Sequence, residues 1–536
     1  MSIDQFAIRV CKGLDKRKIL LFWMLFISGI VAALSLLSHQ VTNPDGILAG
    51  NLMQGFSWDI ATGRWAAAII YSLRGGIIVP LLTSLVSIAF FAMATLLVLQ
   101  LFRIKGFVLR LLVGCLLMTF PSLVQYLSYF YMADMFAVST FLAVLAIYLL
   151  KIHTSIPKIA VFMLSLFSLT LSMSVYQAMI GVAAFICFGI VFIDAADEKK
   201  PLSFVGKEIV YFLLLGILAV VCYFALSRLI CNITGIPLAD YRGISSADRI
   251  SISSFAEILK RMYTTFFSFY FTNQYYPYTK WYLHLIFAAV FILWILSEIY
   301  GGITLVRISE RKKIIFYRTL IQAILVVCLP IVSTMIGLIA SNTTIDFKMI
   351  PQMMLPIALA VSRIESISKT SNKKMLRGLE WAIAGTLCLM VWVNTLVSNG
   401  IGEAMQMRAD AARSLSTRIL IEITESPNYS SNTPIAILGN VDSKAWLSEN
   451  EDYFSRINCD VVAWGQFWSS ETNTTQWSWY QYYMKYHGVS LNMADDEMVE
   501  DILNTEQFRC MSTFPEVGAI QNIDGVLTVK LSDFEQ

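Results

Sequence analysis

Apolar runs on the scale of a membrane-crossing helix recur eleven times in the first 400 positions of this chain: 19–37, 77–101, 107–125, 133–150, 157–174, 177–193, 206–229, 282–300, 315–340, 348–362 and 379–398. A helix needs about 17–25 predominantly apolar residues to cross a bilayer. Lipid offers the backbone no hydrogen-bond partners, so spans of this kind must be helical. Composition agrees. Of 536 residues, 57% are hydrophobic and only 14% charged, with mean hydropathy +0.64, whereas soluble domains carry roughly 25% charged residues. The expected fold is a polytopic α-helical membrane protein. The first run is long enough to span and no small-residue cleavage site follows it, so it reads as a retained span and not a removed leader.

Lys and Arg concentrate on cytoplasmic connections. One set of connections holds Arg9, Lys12, Lys16, Arg17 and Lys18; Arg103, Lys105 and Arg110; Lys151 and Lys158; Lys199, Lys200 and Lys207; Arg307, Arg311, Lys312, Lys313 and Arg318; and Arg363, Lys369, Lys373, Lys374 and Arg377. The alternation predicts a cytoplasmic N-terminus, and an odd number of spans then leaves the C-terminus outside. The outer segments are then 38–76, with interfacial helices near 47–57 and 65–73; the turn 126–134; the loop 230–281, ending in an aromatic belt over 270–282; and the tail 400–536.

That tail is different material. It holds 20 acidic and 8 basic residues, a net of −12, which leaves about +15 for the rest of a chain whose total is +3. Helical periodicity over 401–424 and buried-strand patterns at 434–441 and 526–531 predict a small α/β domain, so the chain divides into a membrane part, 1–399, and an outer domain, 400–536. Trp464, Trp468, Trp477, Trp479, Tyr480, Tyr482 and Tyr483 crowd into one stretch. Such rings either form a core or stack on sugar faces, with Trp464 and Trp468 as candidate acceptor contacts.

The polar residues beside the spans carry the candidate chemistry. Asp45 lies about eight residues past the first span, in Asn-Pro-Asp-Gly. That tetrapeptide is a strong turn, and a turn can also aim a carboxylate. A glycosyl transfer needs a carboxylate to take the proton of an acceptor hydroxyl. Asp59 lies five residues before Arg64, as an orienting ion-pair partner or a second carboxylate. Arg64 and Trp65 form Gly-Arg-Trp, and Arg74 reads as snorkelling. Asp134 opens the fourth span, where a helix dipole favours an acid and burial in hydrocarbon makes an unused one costly. Tyr176 and Gln177 fall between two short spans, where polar groups bond across helices. Lys348 is the one cation of its outer connection and could offset a departing phosphate.

Other chemistries lack a signature. No P-loop, GxGxxG after a strand, HExxH or GxSxG in context occurs. His39, His153, His284 and His487 are dispersed, and the nine cysteines form no CxxC, so neither a metal site nor a cofactor is expected. The basic residues are spent on cytoplasmic faces, which argues against nucleic-acid binding.

An acid in the first outer loop, Gly-Arg-Trp before the second span, Tyr-Gln between short central spans and a cation before a late span, in that order, resemble the O-antigen (serotype-converting) glucosyltransferases of the multispan GT-C fold. The resemblance implies an inner-membrane enzyme with a periplasmic C-terminal domain. Its donor would be undecaprenyl-phosphate-glucose and its acceptor a hydroxyl of the lipid-linked O-antigen repeat, with a separate donor synthase and flippase. It implies Asp45 as base, with Asp59 as the second carboxylate or none, and Arg64, Tyr176, Gln177 and Lys348 as substrate contacts; Trp65 and Asp134 join the candidate contacts on their own positions. Arg is more usual than Lys at the last position, and Lys binds phosphate as a point charge. The competing readings are an O-antigen polymerase or ligase, a lipid-sugar flippase and, with less in its favour, an acyltransferase.

An outer tail would sit in an oxidising compartment, so Cys459 and Cys510 are expected to pair. Mass mapping of non-reduced peptides should recover them as one linked pair; both thiols free would rule out the bond and count against an outside tail.

Overall fold

A computed structural model describes residues 15–42, 52–75, 77–152, 156–239, 252–272, 274, 276, 281–308, 312–338, 347–371, 374–439 and 473–533. In chain order, α1 (Lys16–Ala32) and α2 (Leu34–His39) are followed by α3 (Leu52–Ala61) and α4 (Trp65–Leu73), both within the first expected loop. The bundle continues with α5 (Pro80–Leu101), α6 (Phe107–Thr119), α7 (Ser122–Ser128), α8 (Ala133–Lys151), α9 (Lys158–Val175), α10 (Met179–Ala196) and α11 (Leu202–Thr234). Then come α12 (Ile252–Phe271), α13 (Trp281–Ile308), α14 (Lys312–Ser333), three 3₁₀ turns, α15 (Leu355–Ser371) and α16 (Lys374–Glu425).

Eight of the described helices are long and apolar enough to cross a membrane, nine if the bent pair α6 and α7 counts as one span. The first and tenth expected spans correspond to α1 and α15, each 17 residues long. The pair α6/α7 bends by 42° because Pro121 forces the preceding residue out of helical geometry; Phe120 sits at φ −61°, ψ 131°. Of the membrane-length helices α10 is the most enclosed, and the bundle packs around it.

One end of the bundle is a lattice of charges. The Asp194 carboxylate, fully enclosed at the end of α10, accepts from Lys200 at 2.5 Å and forms ion pairs with Arg103 and with Lys151, whose Nζ is 3.7 Å away; Lys151 also pairs with Glu208. Arg318 donates to the carbonyls of Ala195 (2.8 Å), Asp197 (3.0 Å) and Lys200. Glu365 receives the backbone N–H groups of Lys105 and Gly106 at 2.8 and 2.6 Å, at the start of α6. Arg363 holds Glu298 through two bonds of 2.7 and 3.0 Å. The site described below lies at the other end.

Helix α16 runs 52 residues without interruption, about 78 Å at 1.5 Å per residue, and leads into a small C-terminal unit. There β1 (Ile435–Leu438) is followed by α17 (Asn473–His487), α18 (Asp496–Asn504), α19 (Glu506–Cys510), β2 (Ile520–Ile523) and β3 (Val526–Lys530). The sheet order is β1-β3-β2, with β1 parallel and β2 antiparallel to β3; Ile435 pairs with Leu527 and Ile520 with Val529. Asp524 and Gly525, both at positive φ, make the two-residue hairpin that such a dipeptide favours. Leu415, Ile419 and Ile423 of α16 join Ile435, Ile437, Trp479, Tyr483, Leu527 and Val529 in one core. Trp479, Tyr482 and Tyr483 are therefore core rings. Trp464, Trp468 and Cys459 lie outside the described residues, and Cys510 is exposed at the end of α19.

Removing a fully buried carboxylate from among cations leaves uncompensated charge. Asp194→Ala is expected to destabilise the bundle by about 3 kcal/mol, read as a fall in detergent-solubilised Tm. Lys200→Met, which removes a half-buried cation of the same lattice, should cost less, because Arg103 and Lys151 still face the carboxylate.

Candidate active site

The site end is built where helices stop or break. In the first loop, α3 ends at Ala61 and the chain turns through Thr62 and Gly63 into α4. The turn is closed by Arg64 N donating to the Asp59 carbonyl at 2.6 Å and by the Thr62 hydroxyl donating to the Trp58 carbonyl at 2.9 Å. Gly63 has φ +76°, where an L side chain is strained by roughly 1–2 kcal/mol, and a Cβ there would overlap the Tyr223 hydroxyl. The Gln177 side-chain amide fastens this turn, donating to the Thr62 carbonyl at 2.7 Å and to Tyr223 Oη at 2.9 Å. Tyr176 and Gln177 stand at the break between α9 and α10, Tyr176 in extended geometry at φ −153°, ψ 110°.

The turn delivers Arg64 to the face of Tyr176, its Cζ 5.5 Å from the ring centroid. From there a row of rings crosses the site: Tyr176 meets Phe136 edge to face at 4.8 Å, and Phe136 meets Tyr129 at 5.8 Å. At the far end Lys348 Nζ lies 4.5 Å from the Tyr129 centroid and bonds the Tyr129 hydroxyl. The Tyr126 hydroxyl donates to the Lys348 carbonyl at 2.5 Å, which fixes the 3₁₀ turn Phe347–Met349. Cations over aromatic faces gain about 0.5–2 kcal/mol each, so the row orders both positive groups at one end of the bundle. Behind it a cavity is lined by Phe91, Thr95, Tyr126, Thr140 and Gln352.

Beside the row, Arg74 is held through both of its terminal nitrogens. Its Nη1 holds both Asp134 oxygens at 2.9 Å, its Nη2 donates to the Tyr131 carbonyl at 2.5 Å, and its Cζ lies 5.6 Å from the Tyr71 centroid. Asp134 thus ties α4 to the first turn of α8, and Arg74 does not simply snorkel. Asp59 is buried and faces the same phenol: burial pushes the Tyr71 phenol up, Arg74 pulls it down and Asp59 adds to the rise. Trp65 packs on Ile60, Ala68 and Cys231.

The structure thus brings Arg64, Tyr176, Gln177 and Lys348 into one cluster, with Asp134 on Arg74 and Asp59 near Tyr71 beside it. Asp45 lies outside the described residues; the described chain before it ends at Thr42, whose hydroxyl donates to the Ser128 carbonyl at 3.1 Å. Tyr129, Phe136, Tyr126 and Tyr223 were not singled out from sequence. The run Tyr126-x-x-Tyr129-Phe130-Tyr131 just before Asp134 was the available signal for two of them; nothing local marks Tyr223. Among the described residues no group of three His, Cys, Asp or Glu is placed to hold a metal ion.

These features define a polytopic helical membrane protein with an ordered cationic and aromatic site at one end of its bundle. The family model for glucosyl transferase GtrII matches residues 34–362, which takes in every site residue above. The chain belongs to this glucosyl transferase family and is a glycosyltransferase by that membership. The resemblance to serotype-converting glucosyltransferases is borne out by the match. No individual curated protein and no solved structure matches the chain.

Gly63→Ala is expected to lower both Tm and transfer activity by driving the turn away from Tyr223. Adding Tyr223→Phe removes the obstructing oxygen, so the double variant should be more active than Gly63→Ala alone. Equal activity of the two would show that the turn does not depend on this contact.

Proposed function

We propose that this protein transfers glucose from undecaprenyl-phosphate-glucose to a hydroxyl of the lipid-linked O-antigen repeat, at the periplasmic face of the bacterial inner membrane. Asp45, in the first outer loop, takes the proton of the acceptor hydroxyl as its oxygen attacks the anomeric carbon. The bond from that carbon to the phosphate oxygen breaks, and the electron pair leaves with the polyprenyl phosphate, so a single displacement inverts the anomeric centre. Lys348 and Arg64 offset the charge on the departing phosphate. Asp59 supports the site as the second carboxylate, Tyr176 and Gln177 hold the turn that carries Arg64, and Asp134 fixes Arg74.

The observation that carries this reading is the ring row ending in two cations. A lipid-phosphate leaving group needs fixed positive charge at the membrane rim, and a row of apolar ring faces between two cations provides it without placing a charge in hydrocarbon. Trp464 and Trp468 are proposed to contact the acceptor glycan from the tail. A polymerase or ligase would join whole lipid-linked glycans and leave the monosaccharide donor untouched.

The test is turnover of purified undecaprenyl-phosphate-glucose by the protein in nanodiscs with lipid-linked acceptor. Asp45→Asn should lose at least about 100-fold in kcat while keeping its Tm. Lys348→Met should lose about 100-fold and Lys348→Arg much less. Near-normal turnover by Asp45→Asn would remove it as the base, and an untouched donor with wild-type protein would overturn the glucosyl-transfer reading.

A further inference from the structure

Helix α16 lies beyond the family match, which ends at 362, yet one of its faces is hydrogen-bonded to the chain that enters the first loop. Asn394 bonds the buried Tyr276 hydroxyl, and the Ser398 hydroxyl donates to the Thr119 carbonyl at 3.0 Å, at the α6/α7 bend. Next to them Asn399 receives Ser35 N at 3.0 Å on its Oδ1 and donates from Nδ2 to the Val31 carbonyl at 2.9 Å. In an unbroken helix Ser35 N would bond the Val31 carbonyl directly. The Asn399 amide has replaced that one hydrogen bond, and a side chain inserted into the ladder is a recognised cause of a sharp kink. The break falls there: Ala33 leaves helical geometry at φ −103°, ψ 12° and α2 starts anew.

Two neighbours lock the insertion. The Ser35 hydroxyl donates to Glu403 Oε1 at 2.8 Å. Gly402 lets the backbones touch, since a Cβ there would come within 2.8 Å of Leu36 N. The Ser35 hydroxyl also lies 3.4 Å from His39 Nδ1. Because the serine gives its proton to the carboxylate, this trio is no activated nucleophile.

We propose that Asn399, Gly402 and Glu403 are positioning residues for glucosyl transfer: they set the direction in which the chain leaves α2 to Thr42, whose hydroxyl holds the Ser128 carbonyl next to Tyr129 of the ring row. The inference rests on the function proposed above. It makes the helix outside the family match a working part of the active site. The same unbroken helix continues into the C-terminal core through Leu415, Ile419 and Ile423, so the clamp and that core share one strut.

The test pairs kinetics with hydrogen exchange of the full-length protein in nanodiscs, for Asn399→Ala, Gly402→Ala, Glu403→Ala and Glu403→Gln, each checked for wild-type Tm. Expected for the three truncating or enlarging variants is faster exchange over residues 33–42 and a kcat about 10–100-fold lower, with the donor KM unchanged. Glu403→Gln keeps an acceptor oxygen for Ser35 and should recover most of the rate lost in Glu403→Ala. Unchanged exchange over 33–42 would overturn the proposal, as would faster exchange with a wild-type kcat. The exchange result needs no substrate, so if the wild-type protein failed to consume the donor, the function would fall while exchange still decided the clamp.

Discussion

At the site end of this bundle helices break, and every break frees backbone groups that lipid cannot satisfy. The architecture of the site follows from how side chains meet that demand. Gln177 takes the Thr62 carbonyl, Arg74 the Tyr131 carbonyl, Tyr126 the Lys348 carbonyl, Thr42 the Ser128 carbonyl, Ser398 the Thr119 carbonyl and Asn399 the Val31 carbonyl. Each bond joins segments far apart in sequence. A side chain that caps a freed carbonyl therefore also fixes where the next loop goes, and the loops carry the chemistry.

The two ends of the bundle hold their charges in different ways. At one end Asp194 gathers Arg103, Lys151 and Lys200 into a closed lattice in which the charges serve one another. At the other, Arg64 and Lys348 are held against ring faces. A ring face fixes where a cation stands, and in the function proposed above both cations serve the donor phosphate.

Much of this was legible in the residues. Apolar runs marked the bundle, and Tyr176-Gln177 was recognisable as an interruption between two short spans because two polar side chains broke an otherwise apolar stretch. What could not be read was pairing across distance: nothing near Arg74 announces Asp134, and nothing near Gln177 announces Tyr223. Apolar patterning divides α16 into a span ending at 398 and a separate periodic segment from 401, whereas the helix runs through both without a break. Local propensity is a weak prior that tertiary context overrides; Asn399 and Gly402 are kept helical by the α1/α2 break they fill. The crowd of tail rings was equally ambiguous until burial separated Trp479, Tyr482 and Tyr483 as core.

The central claim is that Arg64 and Lys348, far apart in sequence, serve one phosphate. The most direct measurement is a double-mutant cycle on the Kd for polyprenyl phosphate in nanodiscs, with Arg64→Met, Lys348→Met and the pair. Two cations facing one dianion should each weaken binding when removed, and their effects should be non-additive by more than about 0.5 kcal/mol. Strict additivity, or a wild-type Kd for either single variant, would contradict the account.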